Sequence, residues 1–596
     1  MSIRTLLVGA LLFAMPSVSR SEGLARQVLG AKSEHQKGQA AVKGRKGGLD
    51  AADVLTVIRK ERYDSVVSLV AGMYLEKGKL SEGTVVVVRA LAGRQGMFGR
   101  AAVMAAWSPH AESIVKGLIG SNSESSRRLA ATIVATYAHA DSLGNLKGGG
   151  KGNRKGGGGN AGVPRMDIEP FVTKLLGDRD AAMRELALLA AAYGVLDGLA
   201  DRIRELKPTS SGLAGARLLY LAAIDDELPE DQVRKVLGAR VSASKRYARL
   251  TPLLHSYDIR GNGLLYACQA VAWAEDKRFL MTMHRLLAHP DLRVQIEAAY
   301  AVEAIGSQES VPVLLEKTSL RTPWPVKVAL LSAIGAIPSK KSVGLLFGLR
   351  KDEKGRFRQD ATYALLSIVP ALEKEPPWKW EEWWAEKADG FTVDADATKA
   401  FRESHRVQDI EVEALVEFYG CKVISNRAVF VLDTSMSMKG EKIKMLKHNT
   451  SGTLGMMPDH MEFNVVDFGG IVRVMRPGSL IDARHRESAK QAVEYMDLTL
   501  GTRTFDAMEA AIRLPGMDTI IYLSDGMPIA GAFESWSRIA GAFDMLNRHR
   551  PVAVYCIIYG GKAPQAGKAG AGKGKGKGGA MESLCDHNAG LVTHAH

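Results

Sequence analysis

Three short stretches late in the chain place oxygen-bearing side chains next to apolar runs: "VFVLDTSMSMKGEKI", "GTRTFDAME" and "IIYLSDG". The first carries Asp433, Ser435 and Ser437, the second Thr502 and the third Asp525. Two carboxylates and three hydroxyls are hard oxygen ligands, with neither His nor thiolate beside them. That donor set suits Mg²⁺, Mn²⁺ or Ca²⁺ and not zinc. In an extended turn, Asp-x-Ser-x-Ser sends alternate side chains to the same side, so one loop can supply three ligands. Gly501 before Thr502 and Gly526 after Asp525 suit tight loops. Taken singly, each motif also reads as a polar strand end or a helix N-cap.

The ligands can meet only if three distant segments deliver them to one edge. From about residue 426 apolar runs alternate with helical patterns. Strands are expected at Ala428–Leu432, Phe463–Phe468, Ile471–Met475, Thr519–Leu523, Val552–Ile558 and Leu591–Thr593. Helices are expected at about 441–455, 484–496, 504–513, 534–548 and 581–588. This alternation predicts an α/β doubly wound, mainly parallel sheet covered on both faces, with a ligand crevice at the carboxyl ends of its strands. Asp433 and Asp525 follow two of those ends, and Thr502 opens a helix.

With those elements in place, residues 426–596 resemble a von Willebrand factor A domain, and the loops resemble its metal-ion-dependent adhesion site. The family pattern of Asp-x-Ser-x-Ser, then Thr, then Asp is complete as Asp433, Ser435, Ser437, Thr502 and Asp525, and "FNVVDFG" is similar to family text as well. The resemblance implies a Rossmann-like fold with Mg²⁺, or Mn²⁺ or Ca²⁺, held directly by the hydroxyls and partly through water by the aspartates. It further implies a protein partner whose Asp or Glu completes the coordination, which is binding and not catalysis. Lys439, Lys442, Lys444 and Lys447 follow the first loop and either attract such a partner or form a solvated helix face.

The sequence departs from the family at "KAPQAGKAGAGKGKGKGGA" (562–580), an insertion whose composition cannot build a core. Its Gly567–Lys573 stretch reads G-x-x-x-x-G-K, but Gly574 follows where a nucleotide site needs Ser or Thr. Cys585, His587, His594 and His596 lack zinc-site spacing.

A chain of 596 residues is too long for one core. Residues 51–372 are helical in pattern, and several segments share one grammar: a turn, an Arg or Lys near a helix start, then a small-apolar face, as in "HPDLRVQIEAAYAVEAIG". Ser310-Val311-Pro312-Val313-Leu314 realigns with Ser342-Val343-Gly344-Leu345-Leu346, 32 residues on, and Ile337-Pro338 with Val369-Pro370. Helical pairs at that period resemble HEAT-type repeats and predict an α-solenoid. A Gly/Lys-rich insertion, 146–162, interrupts it. Residues 373–425 read as a connector with Trp378, Trp380, Trp383 and Trp384 clustered to cap the solenoid or seal it against the next domain, an aromatic platform for sugar being the alternative.

Residues 1–20 have the layout of a secretory signal, with Arg4, an apolar run Leu6–Met15 and small residues before Ser19. Residues 21–50 read as a basic, low-complexity leader. Cys268, Cys421, Cys556 and Cys585 form no disulfide framework, and Cys268 and Cys556 read as buried thiols. The net charge of +14 lies largely in the Gly/Lys tracts, without a nucleic-acid motif.

The expectation is an exported, periplasmic, secreted or cell-surface, non-enzymatic protein of adhesion or scaffold type. A metal-dependent hydrolase and a polyanion binder acting through the Gly/Lys tracts are the alternatives.

Overall fold

The computed structural model describes residues 22–44, 49–77, 82–146, 166–238, 263–318, 322–549, 551–559, 581, 584–585 and 592–595. The expected signal segment, the 562–580 insertion and all but residue 146 of the 146–162 insertion lie outside the described residues, as does most of the helix expected at 581–588.

The amino-terminal part is a stack of helices in two layers. The inner layer runs through helices Glu124–Leu146, Ala181–Gly194, Ser211–Ala223, Gly263–Ala274, Leu292–Ile305, Trp324–Ala336 and Arg356–Ile368, each packed on the next. Shorter helices between them, such as Glu169–Leu176, Val311–Lys317 and Lys340–Asp352, form the outer layer. The Arg-near-the-start grammar has a local cause. Asp291 caps its helix by accepting the Arg293 N–H at 3.0 Å, and the Arg293 side chain returns to the same carboxylate at 2.8 Å. Arg184 instead donates to the carbonyl of Asp178 at 2.8 Å. The 32-residue realignment corresponds to equivalent places: Val311–Lys317 and Lys340–Asp352 are both outer helices, and Ile337 and Val369 each end an inner one.

Trp380 is buried on the last pair, with Nε1 donating to the Glu375 carbonyl at 2.7 Å and the Arg350 guanidinium over its ring at 4.6 Å. Trp378 is 80% exposed, so only part of the cluster caps the stack.

Among the described residues, the carboxyl-terminal part is a seven-stranded sheet. Its strands are β3 (Arg427–Asp433), β4 (Glu462–Phe468), β5 (Val472–Val474), β6 (Ile481–Asp482), β7 (Thr519–Ser524), β8 (Ala553–Tyr559) and β9 (Val592–Ala595). The order is β5-β4-β3-β7-β8-β9 with β6 also on β4, and every pair is parallel except β4–β5 and β4–β6. Ahead of it, β1 (Val416–Phe418) and β2 (Cys421–Val423) form an antiparallel hairpin. Val416, Phe418, Cys421 and Val423 share a core with Phe430 and Leu432 of the sheet. The domain therefore begins near residue 415, inside the expected connector, because two three-residue strands are too short to show a period in sequence.

The β3 run is apolar throughout because both faces are covered. Phe430 and Leu432 face helices Glu441–Met456 and Arg486–Glu494. Val429 and Val431 face helices Thr504–Ile512 and Trp536–Asn547. The second pair of helices is packed in turn against the helical stack, and one continuous core joins the two parts. Every residue from Ile539 to Asn547 is buried, so that helix has no solvent face.

Two expectations are corrected. The segment read as a leader forms helices Glu22–Gly30 and Glu34–Gly44, with Leu24, Ala25, Val28 and Ala41 buried against the rest; a few small apolar residues suffice where a docking surface already exists. Cys556, read as a buried thiol, is disulfide-bonded to Cys585, which also removes Cys585 from any zinc site. Cys268 and Cys421 are buried and free.

Candidate functional site

β3 and β7 run parallel with Leu432 beside Leu523, so Asp433 and Ser524 emerge next to each other at the sheet edge. Ser524 Oγ donates to Asp433 Oδ2 at 2.5 Å, and the Ser435 N–H donates to Oδ1 at 2.7 Å. Ser435 and Ser437 hydroxyls lie 2.8 Å apart, and Ser437 Oγ donates to Asp525 Oδ1 at 2.7 Å. The other Asp525 oxygen is paired with the Lys442 ammonium. Asp433, Ser435, Ser437 and Asp525 thus form one connected group.

Thr502 reaches the same edge by a different route. The Thr499 N–H donates to the Thr434 carbonyl at 2.9 Å, and a β-bridge pairs Ser435 with Thr499. Gly501 has φ +104°, and a side chain there would press on Ala530 and Val42; the tight turn requires glycine. Thr502 is buried, and its carbonyl accepts the Ile529 N–H at 3.3 Å. Its hydroxyl makes no hydrogen bond with the other four residues among the described contacts. Gly526 differs from expectation: a Cβ there would meet nothing.

The electrostatics separate the two carboxylates. Asp433 is fully buried, and burial pushes its carboxyl up to about 6 despite the bonds from Ser435 and Ser524. Both its oxygens are served by neutral donors, and no cation pairs with it among the described residues. Asp525 has the Lys442 ammonium. A buried carboxylate with only neutral partners, ringed by hydroxyls, fits a hard divalent cation.

Sequence reading missed Ser524, and it named Lys442 only as one of four lysines after the loop, not as the partner of Asp525. Ser524 was findable, since it precedes Asp525 at the end of a strand expected to lie in the sheet. The lysine run divides: Lys442 turns to Asp525, Lys444 to Glu441 at 2.8 Å and Lys447 to the Glu494 carbonyl at 2.7 Å.

The loops are braced from behind by the amino-terminal helices. Arg503 donates to the Ser65 carbonyl at 2.7 Å and to Asp506 at 2.8 Å. Arg100 pairs with Asp506 and, at 2.5 Å, with Glu509. Gly72 lies so close to Gly531 that a Cβ would fall 2.2 Å from the Gly531 carbonyl oxygen.

Residues 426–559 match the family model described as von Willebrand factor type A domain. This part of the chain is a von Willebrand factor type A domain. Similar solved structures include a von Willebrand factor type A protein from Catenulispora acidiphila, at 22% identity over 28% of this chain and 38% of that one, with a TM-score of 0.24. Proximal thread matrix protein 1 from the mussel byssus matches at 17% identity over 28% of this chain and 41% of that one, TM-score 0.22. An engineered protein matches at 16% identity over 59% of this chain and 98% of that one, TM-score 0.26. The chain spans less than half the length of the first two. A search of the curated proteins finds no match. Among the described residues of the type A domain and the helical stack, no helix is long and apolar enough to cross a membrane.

Proposed function

We propose that the type A domain binds a divalent cation of the Mg²⁺ class through Asp433, Ser435, Ser437, Thr502 and Asp525, and that the protein uses it to hold an Asp or Glu of a partner protein. The observation that carries this reading is Asp433, a fully buried carboxylate met only by neutral donors. When bound, the cation supplies the positive charge that a partner carboxylate seeks. Ser435, Ser437 and Thr502 would contribute neutral oxygens, which leaves the ion's charge little diminished.

The role is one of adhesion or scaffolding and not catalysis, with the HEAT-like helical stack as the frame that fixes the loops. Export is part of the proposal. The signal-like leader motivates it, and the Cys556–Cys585 disulfide supports an oxidising compartment.

The test uses the full chain, because the helix Trp536–Asn547 is buried between the sheet and the helical stack. Calorimetric titration with Mg²⁺ is expected to show one ion taken up per chain, with uptake lost in Asp433→Ala and weakened in Ser437→Ala. Uptake that survives Asp433→Ala overturns the assignment.

A further inference from the structure

Two of the three ligand loops, those of Asp433 and Asp525, also carry large apolar side chains that point outward. Met436 stands between Ser435 and Ser437 and is 41% exposed. Met527, two residues after Asp525, is 43% exposed. Ile529, whose N–H is bonded to the Thr502 carbonyl, is 47% exposed. The intervening Pro528 and Ala530 are buried, so the 527–530 strip alternates inward and outward. Exposed apolar groups gathered around one polar centre mark an interaction surface, and methionine adapts its shape to an irregular partner.

The charge at the mouth narrows the occupant. A divalent cation offsets Asp433 and Asp525, which leaves the ammonium groups of Lys439 and Lys442 as uncompensated positive charge beside the rim. Lys439 is exposed and has no ion-pair partner among the described residues.

We propose that Met436, Met527 and Ile529 form an apolar rim that selects a protein segment whose Asp or Glu is flanked by aliphatic or aromatic side chains. The inference rests on the acidic-partner reading of the site and adds the chemistry of the residues beside the acid. The acid finds the centre, and the flanking side chains lie on the methionines and the isoleucine.

The experiment pans a library of short peptides with a fixed central Asp against the full chain in Mg²⁺ and elutes with EDTA. The expected pool is enriched in Leu, Ile, Val, Phe, Tyr or Trp beside the Asp. The combined variant Met436→Ser, Met527→Ser, Ile529→Ser is expected to bind a selected peptide about tenfold more weakly while its Mg²⁺ uptake is unchanged. Should the combined variant fold poorly, Met527→Ser alone carries the test, with an effect of about threefold. A pool of acidic peptides with no apolar bias, or a variant that binds as tightly as the parent, overturns the rim and leaves the acidic-partner reading standing. If nothing elutes with EDTA, that reading falls and the rim falls with it. Mg²⁺-dependent binding to phosphatidylglycerol vesicles in place of peptides overturns the proposal in favour of a membrane surface.

Discussion

Two buried carboxylates, Glu297 and Asp433, live in opposite circumstances. Glu297, on an inner helix of the stack, meets His549 at 2.7 Å, the Arg548 guanidinium at 3.4 Å and the Gln269 amide at 2.7 Å. Its carboxyl is held below the ordinary range although burial works against that, chiefly through Arg548 and then His549. Asp433 is as deeply buried, receives one hydroxyl and one N–H, and is pushed up to about 6. The protein compensates the first charge with the Arg548 guanidinium and a hydrogen-bonded His549 ring, and that pairing clamps the type A domain to the helical stack. Among the described residues the second has no such partner. Burial without a charged partner, and not burial alone, is what singles out Asp433 as a candidate.

The contrast is most exposed to failure at Glu297. Glu297→Gln leaves Arg548 and His549 buried beside a neutral group, so stability is expected to fall by about 3–5 kcal/mol in urea unfolding of the full chain. Asp433→Asn removes a charge that has no protein cation, and metal-free stability is expected to stay within about 1 kcal/mol of the parent. Equal losses at the two positions would erase the distinction.

Acidification probes the clamp more gently. His139, whose Nε2 lies 2.8 Å from Arg548, and His549 both stand below the ordinary histidine range, chiefly through burial. The groups that face them are Glu297, Arg548, Tyr193 and Arg293. The unfolded chain takes up protons on these imidazoles before the folded one does. Their contribution is therefore complete above about pH 6.5 and is lost as the pH falls below it. Asp433 and Asp360, both pushed up to about 6 by burial, act in the other direction. The expected result is accordingly a difference: between pH 7.5 and 5.5 the parent loses more stability than His139→Phe, read from urea midpoints.

The smallest effect is at Lys442, whose ammonium shares Asp525 with any incoming cation. Lys442→Met is expected to tighten Mg²⁺ binding by about threefold in calorimetry, as suits a half-exposed ion pair. An unchanged affinity would remove Lys442 from the site.

The sheet was readable because its strands are buried on both faces and bounded by helices, and the expected strands agree with the observed ones to within a residue or two. That Asp433, Ser435, Ser437 and Asp525 meet at one sheet edge was readable from the strand ends they follow. What stayed hidden depends on partners far away in sequence. The pairing of Cys556 with Cys585 is set by β8 and the segment beyond it, and a cysteine within "VYCII" looks like any core thiol. Arg548 and His549 look like solvated residues in "NRHR" until Glu297 meets them from another domain. Helices Glu22–Gly30 and Glu34–Gly44 carry too few apolar residues to stand alone, so only the docked structure shows them.

The most direct test is thermal unfolding of the full chain as Mg²⁺ is raised. If Asp433 awaits a cation, the melting temperature of the parent climbs with the logarithm of Mg²⁺ concentration above its dissociation constant, by about 2.7 kcal/mol of stability at a hundredfold excess over that constant, while Asp433→Asn stays flat. A parent indifferent to Mg²⁺, or a variant that climbs with it, would contradict the account.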